Sequence, residues 1–235
     1  MNLLLFDQRE RLDARRVRVT GRRVTHMLQV HGASVGSSLR VGEIDGLMGS
    51  ATVEKLSADE AIISTELSQA PPGKLPVTLI LALPRPKMLR RILRSVAEFG
   101  VRELHLINSY RVEKSYWQTP VLAQHNLREH LLAGLEQAMD TRLPSVHLHR
   151  RFKPWVEDEL PLLKMDKPLL LCHPGQYPAC PRELDGDTLI AVGPEGGFIP
   201  YEVEQLQAAG AETVTLGARI LRVENAVSLL LGRLV

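Results

Sequence analysis

From Val77 onward the chain repeats one pattern: a short apolar run, a segment with helical periodicity, then another apolar run. "VTLILAL" reads as a buried strand. "PKMLRRILRSVAEFG" reads as a helix, with Met88, Leu89, Ile92, Leu93 and Val96 on one face, Arg90, Arg91 and Arg94 on the other, and Gly100 as its stop. The runs "ELHLINS", "SVHLH", "PLLLCH", "TLIAVG" and "TVTLG" continue the strands, and "HNLREHLLAGLEQAMD", "PYEVEQLQAAG" and "ENAVSLLLGRLV" continue the helices. Strands joined through helices run parallel and need cover on both faces, so the alternation predicts an α/β fold. Ligand sites in such sheets lie beyond the carboxyl ends of the strands.

The first 70 residues read differently. "ARRVRVTG", "SSLRVGEIDG", "GSATVEKLS" and "EAIISTELS" are strand-like runs separated by Gly, Ser and Asp, interrupted by one short helical segment, "RRVTHMLQVH". Short strands at this spacing predict a small barrel, because closing a sheet removes its exposed edges. "QAPPGKLP" reads as a linker. The expected organisation is therefore residues 1–70 as a β-barrel domain and 71–235 as an α/β domain.

Composition excludes several classes. With 44% hydrophobic and 24% charged residues the chain is an ordinary globular protein. It holds no apolar run of membrane-spanning length, and "MNLLLFDQRE" turns polar too early for a signal peptide, so a cytosolic protein with no membrane partner is expected. Two cysteines, Cys172 and Cys180, neither form a disulfide framework nor show zinc spacing, and no metal site is assigned. The net charge of +2 conceals segregation: residues 1–23 carry seven Arg against three acids, and residues 85–153 carry thirteen Lys and Arg against six. Clusters of one sign suggest an anionic partner such as nucleic acid, with solvated helix faces as the alternative. The candidate RNA-contacting residues are Arg15, Arg16, Arg18, Arg22, Arg23, Arg90, Arg91, Arg94, Arg111 and Arg142.

One turn carries the most chemistry. "LIAVGPEGGF" breaks from an apolar run into Gly193, Pro194, Glu195, Gly196 and Gly197. A glycine-rich turn after a strand commonly cradles phosphate, but Pro194 has no N–H to donate, Glu195 adds negative charge and no Lys-Ser or Lys-Thr pair follows. The glycines instead let the backbone approach a neutral or cationic ligand closely, or they only form a tight turn. A second turn, at Gly217, also follows a strand, and the two are expected to wall one pocket.

"AVGPEGGF", followed by "LGARILRVENA", resembles the paired signature of the RsmE family of 16S ribosomal RNA uridine-N3-methyltransferases, within the SPOUT superfamily. "AEFGV", "EQAMDTRLP" and "LLCHP" extend the likeness along the chain. The resemblance implies a trefoil-knotted parallel-sheet methyltransferase domain after a PUA-like, RNA-binding β-barrel. It also implies S-adenosylmethionine as cofactor, ribosomal RNA or the small ribosomal subunit as partner, and a homodimer. Carried over residue by residue, it implies cofactor contacts from His173, Gly193, Pro194, Glu195, Gly196, Gly197, Leu216, Gly217, Ile220, Leu221, Arg222 and Ala226. Core packing is the competing account of Ile220 and Leu221.

The implied chemistry asks for particular groups. Uridine N3 is a poor nucleophile until its proton leaves, so a protein must orient the base, assist deprotonation and stabilise negative charge on the ring. Arg219, Arg222 and Glu224 are the candidate catalytic residues, the arginines for uracil O2 or O4 and Glu224 as proton acceptor or as orienter of an arginine. A helix-start salt bridge is the other account of Glu224. The chain departs from the family pattern at Gly32, Ser95, Phe99, Asp140 and Asn225. Those departures leave two alternatives: a methyltransferase acting on another ribosomal or transfer RNA nucleotide, or an RNA-binding protein without turnover.

Overall fold

The computed structural model describes residues 2–184 and 186–234. Contacts divide the chain into two compact units, one running up to Gly73 and including Leu131–Leu143, the other comprising Lys74–His130 and the chain from Pro144.

The first unit is built on strands β1 (Leu4–Phe6), β2 (Arg16–Thr20), β3 (Ser38–Glu43), β4 (Met48–Leu56) and β5 (Glu60–Gln69), with helix α1 (Arg22–Gln29). Their order is β1-β3-β4-β5-β2, antiparallel except for β1, which runs parallel to β3. Period-two alternation sets the core: β2 turns Val17 and Val19 inward and leaves Arg16 and Arg18 exposed, while β5 buries Ala61 and Ile63. Leu4, Phe6, Val24, Met27, Ala33, Val41, Ala51 and Val53 complete the cluster. Among the described residues β1 and β2 are not paired with each other, so the sheet is a half-barrel, short of full closure.

Leu131–Leu143 belongs to this unit through backbone chemistry. The Glu136 carbonyl accepts the N–H groups of Asn2 and Leu3, each at 3.1 Å. The buried Thr141 hydroxyl donates to the Gly46 carbonyl at 2.6 Å, and the Asp45 carboxylate accepts the Leu143 N–H at 2.8 Å.

The second unit contains β6 (Leu75–Ala82), α2 (Pro86–Glu98), β7 (Val101–Ile107), the first half of α3 (Gln124–Ala138) and β8 (Ser145–His149). A helical stretch follows: α4 (Phe152–Pro154), a π-helical segment at Trp155–Glu159, and α5 (Leu160–Lys164). Then come β9 (Leu169–Cys172), β10 (Thr188–Val192), α6 (Pro200–Ala208), β11 (Ala211–Val214) and α7 (Val223–Arg233).

The sheet order is β11-β9-β10-β6-β7-β8, and every neighbouring pair is parallel. All carboxyl ends therefore emerge on one side, and the chain reverses its direction of growth across the sheet between β6 and β10. Leu79, Ile80, Leu81, Leu189, Ile190 and Ala191 are fully buried, as strands covered on both faces must be. Helix α2 buries Leu89, Ile92, Leu93 and Val96 and packs on α7, while Arg90, Arg91 and Arg94 stay exposed; Met88 is only half-buried. Among the described residues no helix is long and apolar enough to cross a membrane.

Candidate functional site

Strand register builds the site. Val192 pairs with Cys172, and Cys172 pairs with Val214, so β9, β10 and β11 end side by side. The segments that follow them emerge together and enclose a cleft of about 650 Å³, mouth included. His173, Gly193, Pro194, Glu195, Gly197, Leu216, Gly217, Ile220, Leu221 and Ala226 all line it, as does Arg219.

The turns are shaped by backbone bonds. The Gly197 N–H donates to the Pro194 carbonyl at 2.8 Å, and Gly197 has φ +73°, a conformation that favours glycine. Gly217 has φ +114°, and its N–H donates to the Thr215 hydroxyl at 3.3 Å. The His173 N–H donates to the Val214 carbonyl at 3.0 Å, which continues the β9 pairing one residue past the strand.

A second layer of contacts fastens these loops. Glu195 leaves its carboxylate to accept the Arg85 N–H at 3.1 Å, joining the β10 loop to the one after β6. The Arg111 guanidinium donates to the Gly196 carbonyl. Buried Glu202 accepts the Ser109 hydroxyl at 3.0 Å, the Tyr110 N–H at 2.7 Å and the Ile199 N–H at 3.1 Å. One carboxylate thus holds the β7 loop against the start of α6, and its desolvation is offset by three charge-assisted hydrogen bonds.

Three expected site residues lie elsewhere. Gly196 faces Arg111, whose Cδ would stand 2.9 Å from an added Cβ, and it does not line the cleft. Arg222 is the N-cap of α7: its carbonyl accepts the Ala226 N–H at 2.8 Å and its side chain is exposed, outside the cleft lining. Glu224 sits half-buried in the first turn of α7 and also does not line the cleft. Ile220 is not core at all, being 86% exposed at the cleft.

Cys172, Pro174, Val192, Thr215 and Val223 line the cleft without having been singled out. The signal for Cys172 and Val192 was their place as last residues of their strands. Burial pushes the Cys172 thiol up to about 12, so it contributes a neutral wall and no thiolate nucleophile.

The arginines divide by surroundings. Arg23 is enclosed in an ion pair with Glu10 and also donates to the Leu5 carbonyl. Arg16 pairs with Asp13 at 2.7 Å, Arg22 with Glu136 at 3.1 Å and Arg18 with Glu60 at 3.7 Å. Arg15, Arg90, Arg91, Arg94 and Arg142 are exposed.

Residues 71–235 match the family model described as an RNA methyltransferase domain. The chain is 30% identical to the ribosomal RNA small subunit methyltransferase E of Treponema pallidum, over 96% of this chain and 87% of that protein. The chain belongs to the ribosomal RNA small subunit methyltransferase E family. Solved structures agree on the fold. A methyltransferase E from Neisseria gonorrhoeae, crystallised bound to S-adenosyl methionine, superposes with a TM-score of 0.74 at 21% identity, covering 97% of this chain and 95% of that one. A Legionella pneumophila protein described as a putative methyltransferase in complex with S-adenosylmethionine gives 0.76 at 19% identity, covering 98% and 95%. The fold class is thus that of the methyltransferase E family: a five-stranded half-barrel sheet and a six-stranded parallel sheet.

Proposed function

We propose that the chain transfers the methyl group of S-adenosylmethionine to N3 of a uridine in 16S ribosomal RNA, acting as a homodimer with a knotted C-terminal domain. The observation that carries the reading is the convergence of the 193–197 and 215–221 loops on one cleft at the carboxyl ends of three adjacent strands.

The cleft suits the cofactor. Its walls are mainly glycine, proline, apolar side chains and a protonated thiol, joined by His173, Glu195, Thr215 and Arg219, and no lysine lines it, which suits an adenosine without phosphate. His173, Gly193, Pro194, Glu195, Gly197, Leu216, Gly217, Ile220, Leu221 and Ala226 are the residues proposed to hold it, largely through backbone groups. When bound, the cofactor supplies a methyl group made electrophilic by a sulfonium.

This chain's own residues must then manage the base. Arg219, which lines the cleft, stabilises the negative charge that grows on uracil oxygen as the N3 proton leaves. Arg222 and Glu224, at the start of the adjoining helix, act on the target from outside the cofactor walls, Glu224 taking the proton directly or through water. Exposed Arg15, Arg90, Arg91, Arg94 and Arg142 engage phosphates.

The test is methyl transfer from labelled S-adenosylmethionine to small ribosomal subunits from cells lacking the protein, followed by nucleoside mass spectrometry. A new 3-methyluridine is expected. Arg219→Ala is expected to lower turnover by about 100-fold or more while the protein stays folded. A different methylated nucleoside overturns the N3 assignment, and near-normal turnover removes Arg219 from the catalytic residues.

A further inference from the structure

The outer edge of the parallel sheet carries a side-chain cluster that methyl transfer does not use. Register places His105 opposite His147 and Ile107 opposite His149 on the β7–β8 pair. Alternation then puts Glu103, His105, His147 and His149 on one face. One ligand atom from each of Glu103, His105 and His147 lies within 4.8 Å of the other two. The rings of His105 and His147 stack at 4.6 Å.

Hydrogen-bond polarity orders the cluster. An ionised carboxylate only accepts, so His149 Nδ1, 3.0 Å from Glu159, is a donor. A neutral His149 therefore offers Nε2 as an acceptor, and His105 Nδ1, 3.0 Å away, donates to it. His105 Nε2 is left with its lone pair facing a Glu103 carboxylate oxygen at 3.5 Å. Two acceptors face each other beside a histidine that is only 6% exposed, an arrangement that a cation between them would satisfy.

We propose that Glu103, His105 and His147 bind a divalent transition-metal cation of the zinc class. Two imidazoles and a carboxylate are a borderline-soft donor set suited to that class. The chain from Glu159 through His149 fixes the His105 tautomer, as outer partners of metal-bound histidines commonly do. Tetrahedral zinc with bonds of about 2.0–2.1 Å sets its ligands about 3.3 Å apart. Rotation of exposed His147 and partly exposed Glu103 supplies the remaining closure, and water would complete the coordination. The site lies on the opposite side of β6 and β10 from β9 and β11, so its role is to fasten edge strand β8 to β7.

The test uses the full-length protein stripped with a chelator. Zinc(II) is titrated by calorimetry, and cobalt(II) is added as a visible-absorption probe. One equivalent is expected to bind, and Glu103→Gln and His147→Ala should each weaken binding on the order of tenfold or more. Circular dichroism checks that both variants fold; buried His105 is left intact for that reason. A zinc-dependent rise in melting temperature should appear in the wild type and vanish in the variants. Absence of binding in the wild type overturns the proposal, as does wild-type affinity in either variant, which would place the metal elsewhere, for instance at Cys172 and His173.

Discussion

Asp13 shows how much one exposed side chain can be committed to its own turn. Its carboxylate accepts the backbone N–H groups of Arg15 at 2.9 Å and Arg16 at 2.8 Å, and the Arg16 guanidinium at 2.7 Å. Those donors favour the ionised form and hold the group at about 2, below its ordinary 3.8. The unfolded chain therefore binds more protons than the folded one between those values, so stability rises with pH across that window. The contribution is complete above about 4 and is lost as pH falls towards 2. Denaturant midpoints measured from pH 2 to 5 should rise less steeply for Asp13→Asn than for the wild type. Neighbouring arginines are committed in the same way: Arg16, Arg22 and Arg23 each stand in an ion pair, and two of their partners, Glu10 and Glu136, lie 13 and 114 positions away in the chain. No local pattern announces such pairs.

Elements were legible where a period persisted. Helix α2 declares its buried face over 13 residues, and the structure buries Leu89, Ile92, Leu93 and Val96 as the period requires. Leu93→Ala should destabilise the protein by about 2–5 kcal/mol, and exposed Arg91→Ala should change stability by about 0.5 kcal/mol or less, both read by chemical denaturation. The helical stretch from Phe152 to Lys164 was not legible. Pro154 and Pro161 interrupt its pattern, but Pro161 stands in the first turn of α5, where a missing N–H does no harm. A π-helical segment lies between them, and Phe152, Trp155, Val156 and Leu160 are buried at helical spacing all the same. Strand β1 was missed for another reason: three residues, all buried, are too few to display alternation.

At the scale of the whole molecule, strand–helix alternation conveyed the parallel sheet, and the two glycine-bearing turns conveyed the cleft. Order within the sheet was not legible, because β10 inserts between β9 and β6 by packing that no spacing records. Charge segregation belongs to this scale as well. Affinity for a 16S RNA fragment should fall linearly on a log–log plot against salt, each phosphate contact contributing a slope of about −0.7 to −0.9. Replacing Arg90, Arg91 and Arg94 together with alanine should flatten that line in fluorescence anisotropy, and an unchanged slope would remove α2 from the RNA surface.

The cleft loops also govern which sequences can descend from this one. Gly197 and Gly217 hold backbone angles that side chains rarely adopt, and a side chain at Gly196 would crowd Arg111. Substitutions there meet a folding test before any catalytic one. Neutral drift is therefore steered toward the apolar and charged surroundings of the cleft, so that divergence among descendants would accumulate in what they recognise sooner than in the turn that receives the small molecule.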